Sequence, residues 1–185
     1  MLTEESGLER KFCAAGGAVT MREGCEIAGY ASLFGVRDQG GDTVMPGAYV
    51  AALKRLAARG GKVKMLWQHD PAQPIGVWED VREDAHGLHV RGRLLDDVAR
   101  AREAAALIAA GAIDGLSIGY RTVRATKDAG GRRSLTELDL WEVSLVTFPM
   151  LPEARLNGKA EADEAAALEE MAAALRRAGE VLAGS

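Results

Sequence analysis

The chain has 185 residues, 48% of them hydrophobic, and 23 Lys and Arg against 27 Asp and Glu give a net charge of −4. That composition can bury one sizeable core and carry an appendage, while basic residues interspersed among acids leave no cationic stripe for nucleic acid. No run approaches the roughly 18 apolar residues of a membrane span, and the acidic opening Met1-Leu2-Thr3-Glu4-Glu5-Ser6 precedes no apolar signal-peptide core.

In chain order, residues 1–23 mix glycines, charges and a few apolar side chains without sustained period and are expected to form a loose arm. Cys13 and Cys25 lack metal-ligand spacing and, without an export signal, read as free thiols in a reducing cytoplasm. Cys25 to Phe34 has strand-like content, and Asp38-Gln39-Gly40-Gly41-Asp42 supplies turn chemistry. Pro46 suits a first helical position, and Gly60-Gly61 stops a helix whose apolar stripe is Tyr49, Val50, Leu53 and Leu56.

Lys62 to Gln68 alternates, with Val63, Met65 and Trp67 on one face, and His69 continues that parity toward the packed side. Asp70-Pro71 is expected to break the strand, and Ile75 to Val81 to resume it. Beyond the turn at Glu83 to Gly87, Leu88, Val90 and Leu94 share one face and His89, Arg91 and Arg93 the other. Val98 to Ala110 reads as an alanine-rich helix with Asp96 or Asp97 as N-cap and Gly111 at its end. Strands over roughly Leu116 to Arg124 and Leu135 to Phe148 follow. Short strands with few inserted helices favour a β-rich α+β domain, an antiparallel sheet curled into a barrel, over a parallel βαβ sheet. This domain is expected over 24–156. A linker and an amphipathic C-terminal helix occupy 157–185, where Leu168, Met171, Leu175, Ala178 and Leu182 step by three and four.

Gly115-Leu116-Ser117-Ile118-Gly119-Tyr120 places a serine between two glycines, which matches G-x-S-x-G. The nucleophile elbow of α/β-hydrolases nevertheless needs a strand before the serine, a helix after it and a histidine later in the chain. Here a helix precedes, a strand follows, and all three histidines, His69, His86 and His89, lie upstream. A nucleophilic Ser117 therefore calls for an order in which histidine comes first. Acids such as Asp70 or Asp80 fit an order with the acid before the serine, but the order histidine, serine, acid is the better candidate.

Four blocks in this order resemble the prohead, or capsid-maturation, serine proteases of tailed bacteriophages and gene transfer agents. They are Gly29-Tyr30-Ala31 with Asp42 to Tyr49, then Leu66-Trp67-Gln68-His69-Asp70, then Gly115 to Tyr120, then Trp141 to Pro149. The resemblance implies a herpesvirus-protease-like (assemblin-like) β-barrel ringed by helices, with His69 as general base, Ser117 as nucleophile and Glu142 as the group that holds His69. An imidazole of ordinary pKa about 6.5 suits both proton transfers near neutral pH. Assemblins use a second histidine where this chain has Glu142.

By the same analogy, the oxyanion donors are the backbone N–H groups of Met150 and Leu151, since Pro149 and Pro152 have none. The implied activity is that of a serine endopeptidase cleaving the scaffolding segment of the major capsid protein, and its own chain, inside the assembling prohead in the bacterial cytoplasm. No metal or organic cofactor is implied, nor any membrane or nucleic-acid partner. A homodimer or higher oligomer is left open, as is a scaffold-docking role for the C-terminal helix. The competing reading is a non-catalytic capsid assembly factor with the same fold.

Blander readings exist for each residue. Ser117 fits a tight strand between glycines, and Glu142 fits a solvent-facing position shared with Ser144. Asp114, Glu137 and Asp139 are alternative partners for His69. His86, His89 and Asp84 hint at a metal site, but zinc usually takes three or four ligands and no further His or Cys lies nearby.

Overall fold

The structure is a computed structural model that describes residues 9–13, 20–22 and 26–148. Its strands are β1 Glu9–Cys13, β2 Thr20–Arg22, β3 Glu26–Leu33, β4 Asp42–Val44, β5 Lys64–Trp67, β6 Asp70–Glu83, β7 Gly87–Leu94, β8 Gly115–Lys127 and β9 Arg133–Val146. Two helices, α1 Val50–Ala58 and α2 Ala99–Ala109, complete the described elements. All nine strands form one sheet in the order β1-β8-β9-β5-β6-β7-β3-β2, with β4 also paired to β9. Contacts of β3 with both β1 and β8 curl this sheet back on itself.

The expected sheet was antiparallel throughout, but two pairings are parallel, β5 with β9 and β4 with β9. Both result from the last described strand adding beside β4 and β5, which are made much earlier. β9 pairs antiparallel with β8 across a hairpin on one edge and takes β5 on the other. Over its last five residues, 142–146, β9 is buried on both faces rather than alternating. Side chains from β3, β5, β6, β7, β8 and β9 fill the core, among them Ile27, Met65, Ile75, Trp78, Val90, Ile118 and Val143. The Trp78 indole donates to the Val143 carbonyl at 3.1 Å, which ties β6 to the back of β9.

Local chemistry explains where the elements begin. Pro46 opens a turn rather than the helix: the backbone N–H groups of Gly47 and Tyr49 donate to the Glu83 carboxylate, and α1 starts at Val50. Helix α2 starts after Val98 with no side-chain cap, so the expected Asp96 or Asp97 cap is not formed. Its buried face is Ala101, Ala104, Ala105 and Ile108, small side chains that let the helix lie close to the sheet. Gly60 and Gly111 follow the helices with φ of 64° and 69°, the left-handed stop that glycine permits.

The expected break falls at Gln68-His69 rather than at Asp70-Pro71, which begins β6, where a proline near the strand's start takes nothing from the ladder. β8 runs to Lys127 and β9 starts at Arg133, so the hairpin is longer at its turn end than expected. Two stretches of the segment expected as an arm, β1 and β2, are strands. The expected C-terminal helix, with the rest of 149–185, lies outside the described residues. Among the described residues no helix is long and apolar enough to cross a membrane.

Candidate active site

Ser117 is the third residue of β8, Glu142 lies on the adjoining β9, and His69 follows β5 on β9's other edge. One central strand thus carries the acid and separates the strands that carry the other two groups. His69 Nε2 lies 2.6 Å from Ser117 Oγ, and His69 Nδ1 lies 2.5 Å from Glu142 Oε1. An ionised carboxylate only accepts, so Nδ1 carries the proton and Nε2 is left to accept from the serine hydroxyl. Ser117, His69 and Glu142 are 0%, 5% and 4% exposed, so water scarcely competes for these bonds.

His69 reaches this position through a tight turn, not by strand parity. Trp67 of β5 pairs with Asp70 of β6, which leaves Gln68 and His69 as a two-residue hairpin loop with φ of 52° and 60°. Two consecutive positive φ values are the type I′ pattern, usually filled by Asn-Gly. Left-handed backbone costs non-glycine residues about 1–2 kcal/mol each, and neighbouring bonds hold it here. Gln68 N–H donates to the Leu145 carbonyl at 2.9 Å, and the Gln68 amide donates to Thr147 Oγ1 at 2.6 Å. His69 N–H donates to Ser144 Oγ at 3.2 Å. The Arg100 guanidinium of α2, 5.7 Å from the Trp67 ring centre and 3.0 Å from Gln73 Oε1, braces the hairpin's flank.

Glu142 owes its aim to a bulge and its space to a glycine. Gly119 pairs with Glu142 and Tyr120 with Leu140, so Trp141 is the extra residue on β9. Such a bulge re-aims the side chain beside it, and Trp141 itself is 47% exposed. A Cβ at Gly119 would lie 2.1 Å from Glu142 Oε1, so the second glycine of the G-x-S-x-G block makes room for the carboxylate. The other oxygen, Oε2, accepts from Ser144 Oγ at 2.5 Å. Glu142 and Ser144 share a parity that would face solvent on a sheet covered on one side only, but both are buried. Their E-x-S spacing was the available signal for Ser144, and its meaning depends on the second covered face of β9.

The other candidates lie elsewhere. Glu137 pairs with Arg55 and Arg124, and Asp139 with Arg55 and Arg121. Asp70 accepts from the Ala72 N–H and the Gln73 amide. His86 and His89 meet the Tyr30 ring edge-on, and Tyr30 donates to Asp84 at 2.6 Å. Burial, then the Asp84 bond, pushes the Tyr30 phenol up to about 12, and burial followed by Arg82 lowers His89. No group of three or more His, Cys, Asp or Glu that could hold a metal occurs among the described residues. Met150 and Leu151, the expected oxyanion donors, lie outside the described residues.

With this geometry in view, similarity to known proteins becomes informative. A family model described as Caudovirus prohead serine protease matches residues 17–170. The prohead protease of Enterobacteria phage HK97 is 33% identical over 138 residues, which are 73% of this chain and 60% of that protein. This chain thus spans 60% of that relative's length. The solved structure of the bacteriophage T4 capsid assembly protease, gp21, superposes with a TM-score of 0.61 at 21% identity, covering 75% of this chain and 96% of that one. The likeness to gp21 is one of fold, and the family match spans the curled sheet from β2 through β9 with all three hydrogen-bonded residues. The chain belongs to the Caudovirus prohead serine protease family.

Proposed function

We propose that the chain is a serine endopeptidase of capsid maturation, with Ser117 as nucleophile, His69 as general base and Glu142 as the group that orients His69. The observation that carries this reading is the continuous hydrogen-bonded line from Ser117 Oγ through the imidazole to the Glu142 carboxylate. Its protease body is residues 24–156, an assemblin-like barrel. Its substrate is the scaffolding segment of a major capsid protein, together with its own chain, cleaved inside the prohead.

The chemistry follows from the geometry. As Ser117 Oγ bonds to the scissile carbonyl carbon, its proton moves to His69 Nε2, and the carbonyl oxygen takes up negative charge. Met150 and Leu151 N–H groups are the donors assigned to that oxygen. Collapse of the tetrahedral species breaks the C–N bond, and the leaving amine takes the proton from Nε2. Water then repeats the sequence on the acyl-enzyme, with His69 again as base. Glu142 stabilises the imidazolium in both halves, a role worth about 10⁴ in kcat for the carboxylate of a well-studied triad.

The test is co-expression with the cognate capsid precursor, wild type beside Ser117→Ala, followed by intact-mass spectrometry. Discrete capsid and self-cleavage fragments that vanish in the variant are expected. Identical masses in both, with proheads formed, would leave a non-catalytic assembly factor as the reading.

A further inference from the structure

Ser144 hydrogen-bonds to both the histidine and the acid of the site. Its hydroxyl accepts from the His69 backbone N–H at 3.2 Å and donates to Glu142 Oε2 at 2.5 Å. It is 0% exposed and stands at the middle of three paired strands, opposite Ser117 on β8 and Leu66 on β5. A buried serine that merely satisfied itself would need one acceptor, and a nearby backbone carbonyl is the usual one. Here its single proton is spent on a side-chain carboxylate instead.

The two bonds do different things. The terminal torsion of a glutamate is broad, so a carboxylate held at one oxygen alone swings through a wide arc. Ser144 holds Oε2 while His69 Nδ1 takes Oε1, and the plane of the carboxylate is set by both. The bond from the His69 N–H pins the backbone of a non-glycine residue at φ 60°, where few alternatives would keep the ring aimed at Ser117. A displacement at either partner therefore passes through one hydroxyl to the other.

We propose that Ser144 is a positioning residue for the proteolytic centre, fixing the Glu142 carboxylate and the His69 turn together; this rests on the serine-protease reading above. The test uses the full chain as wild type and Ser144→Ala. It measures the rate and concentration dependence of Ser117 phosphonylation by a fluorophosphonate, and the far-downfield proton resonance of His69 Nδ1. Groups that orient the ligands of a metal site typically contribute about 10–100-fold, and a hydroxyl that orients a carboxylate is expected to act on that scale. The expected result is a limiting rate lower by roughly that factor, half-saturation within about twofold, and a lost or strongly shifted Nδ1 resonance. A purely structural role would lower the melting temperature and leave the resonance of the folded protein in place.

A folded Ser144→Ala protein with wild-type rate and resonance would overturn the proposal. Should the alanine variant not fold, Ser144→Cys fills the same space with a poor donor and is read by the same two criteria. A wild-type chain inert to the fluorophosphonate would sink the protease reading instead, while the resonance in wild type and variant would still decide the role of Ser144.

Discussion

Gly119→Ala is the most demanding check on the site because one methyl group is directed at one carboxylate. The added Cβ would lie 2.1 Å from Glu142 Oε1, 2.6 Å from its Cδ and 2.7 Å from its Cγ. Carbon and oxygen ordinarily approach no closer than about 3.3 Å, so the carboxylate must retreat by roughly 1.2 Å. Glu142 is not free to do so cheaply, since Oε1 is bonded to His69 Nδ1 and Oε2 to Ser144 Oγ. Nor does β8 shift easily, as Ile118 and Tyr120 on either side are 0% and 2% exposed.

A misplacement of about 1 Å costs on the order of 10² in rate, and full loss of histidine orientation about 10⁴. Overpacking adds about 1–3 kcal/mol of destabilisation, or a fall in Tm of roughly 3–9 °C for a protein of this size. The expected variant is thus folded but roughly 10²–10⁴-fold slower in fluorophosphonate labelling of Ser117. The assay pairs that rate with calorimetric melting. Wild-type labelling at wild-type Tm would refute the reasoning, because it would mean that the carboxylate has no need to be where it is.

Other consequences are as specific. Glu142→Gln keeps the volume and the contact to His69 but removes the negative charge opposite an imidazolium, so peptide cleavage should fall about 10²–10⁴-fold with little change in Tm; unchanged kcat would exclude Glu142 from the mechanism. Trp78→Phe deletes the indole bond to the Val143 carbonyl and should cost about 1–3 kcal/mol in urea unfolding, and a midpoint equal to wild type would contradict that. Tyr30, which burial and the bond to Asp84 raise from the ordinary 10.0 to about 12 in the folded state, contributes stability that is present below pH 10 and lost as pH rises toward 12. Tyr30→Phe should therefore flatten the alkaline fall in Tm over that interval, and parallel curves for the two proteins would speak against it.

The sequence exposed the elements whose causes are local. The alternation of Leu88, Val90 and Leu94 against His89, Arg91 and Arg93 is that of β7, whose first set is buried. Gly60 and Gly111 likewise marked the helix ends. Long-range pairings were not legible: nothing in Lys64–Trp67 announces a parallel partner at Glu142–Leu145. Nor did propensity suggest a Gln-His loop with both φ positive, because the bonds that stabilise it come from Ser144, Leu145 and Thr147. His69, Ser117 and Glu142 could be grouped through family resemblance, since their separations in the chain carry no geometric message. Ser144 and the space at Gly119 needed the bulge at Trp141 and the buried faces of β9, features set by tertiary packing.

The place of β9 in the sheet also sets a schedule. It is the last described strand to be synthesised, yet it lies between β8 and β5. A nascent chain that ends before Arg133 holds Ser117 and His69 on strands with no neighbour in common, and lacks Glu142 altogether. Chains grow at about 5–20 residues per second, and pairings this distant in sequence close late in folding. With the triad proposed above, a fragment that ends before Arg133 lacks both the acid and the strand that sets the histidine turn beside the serine.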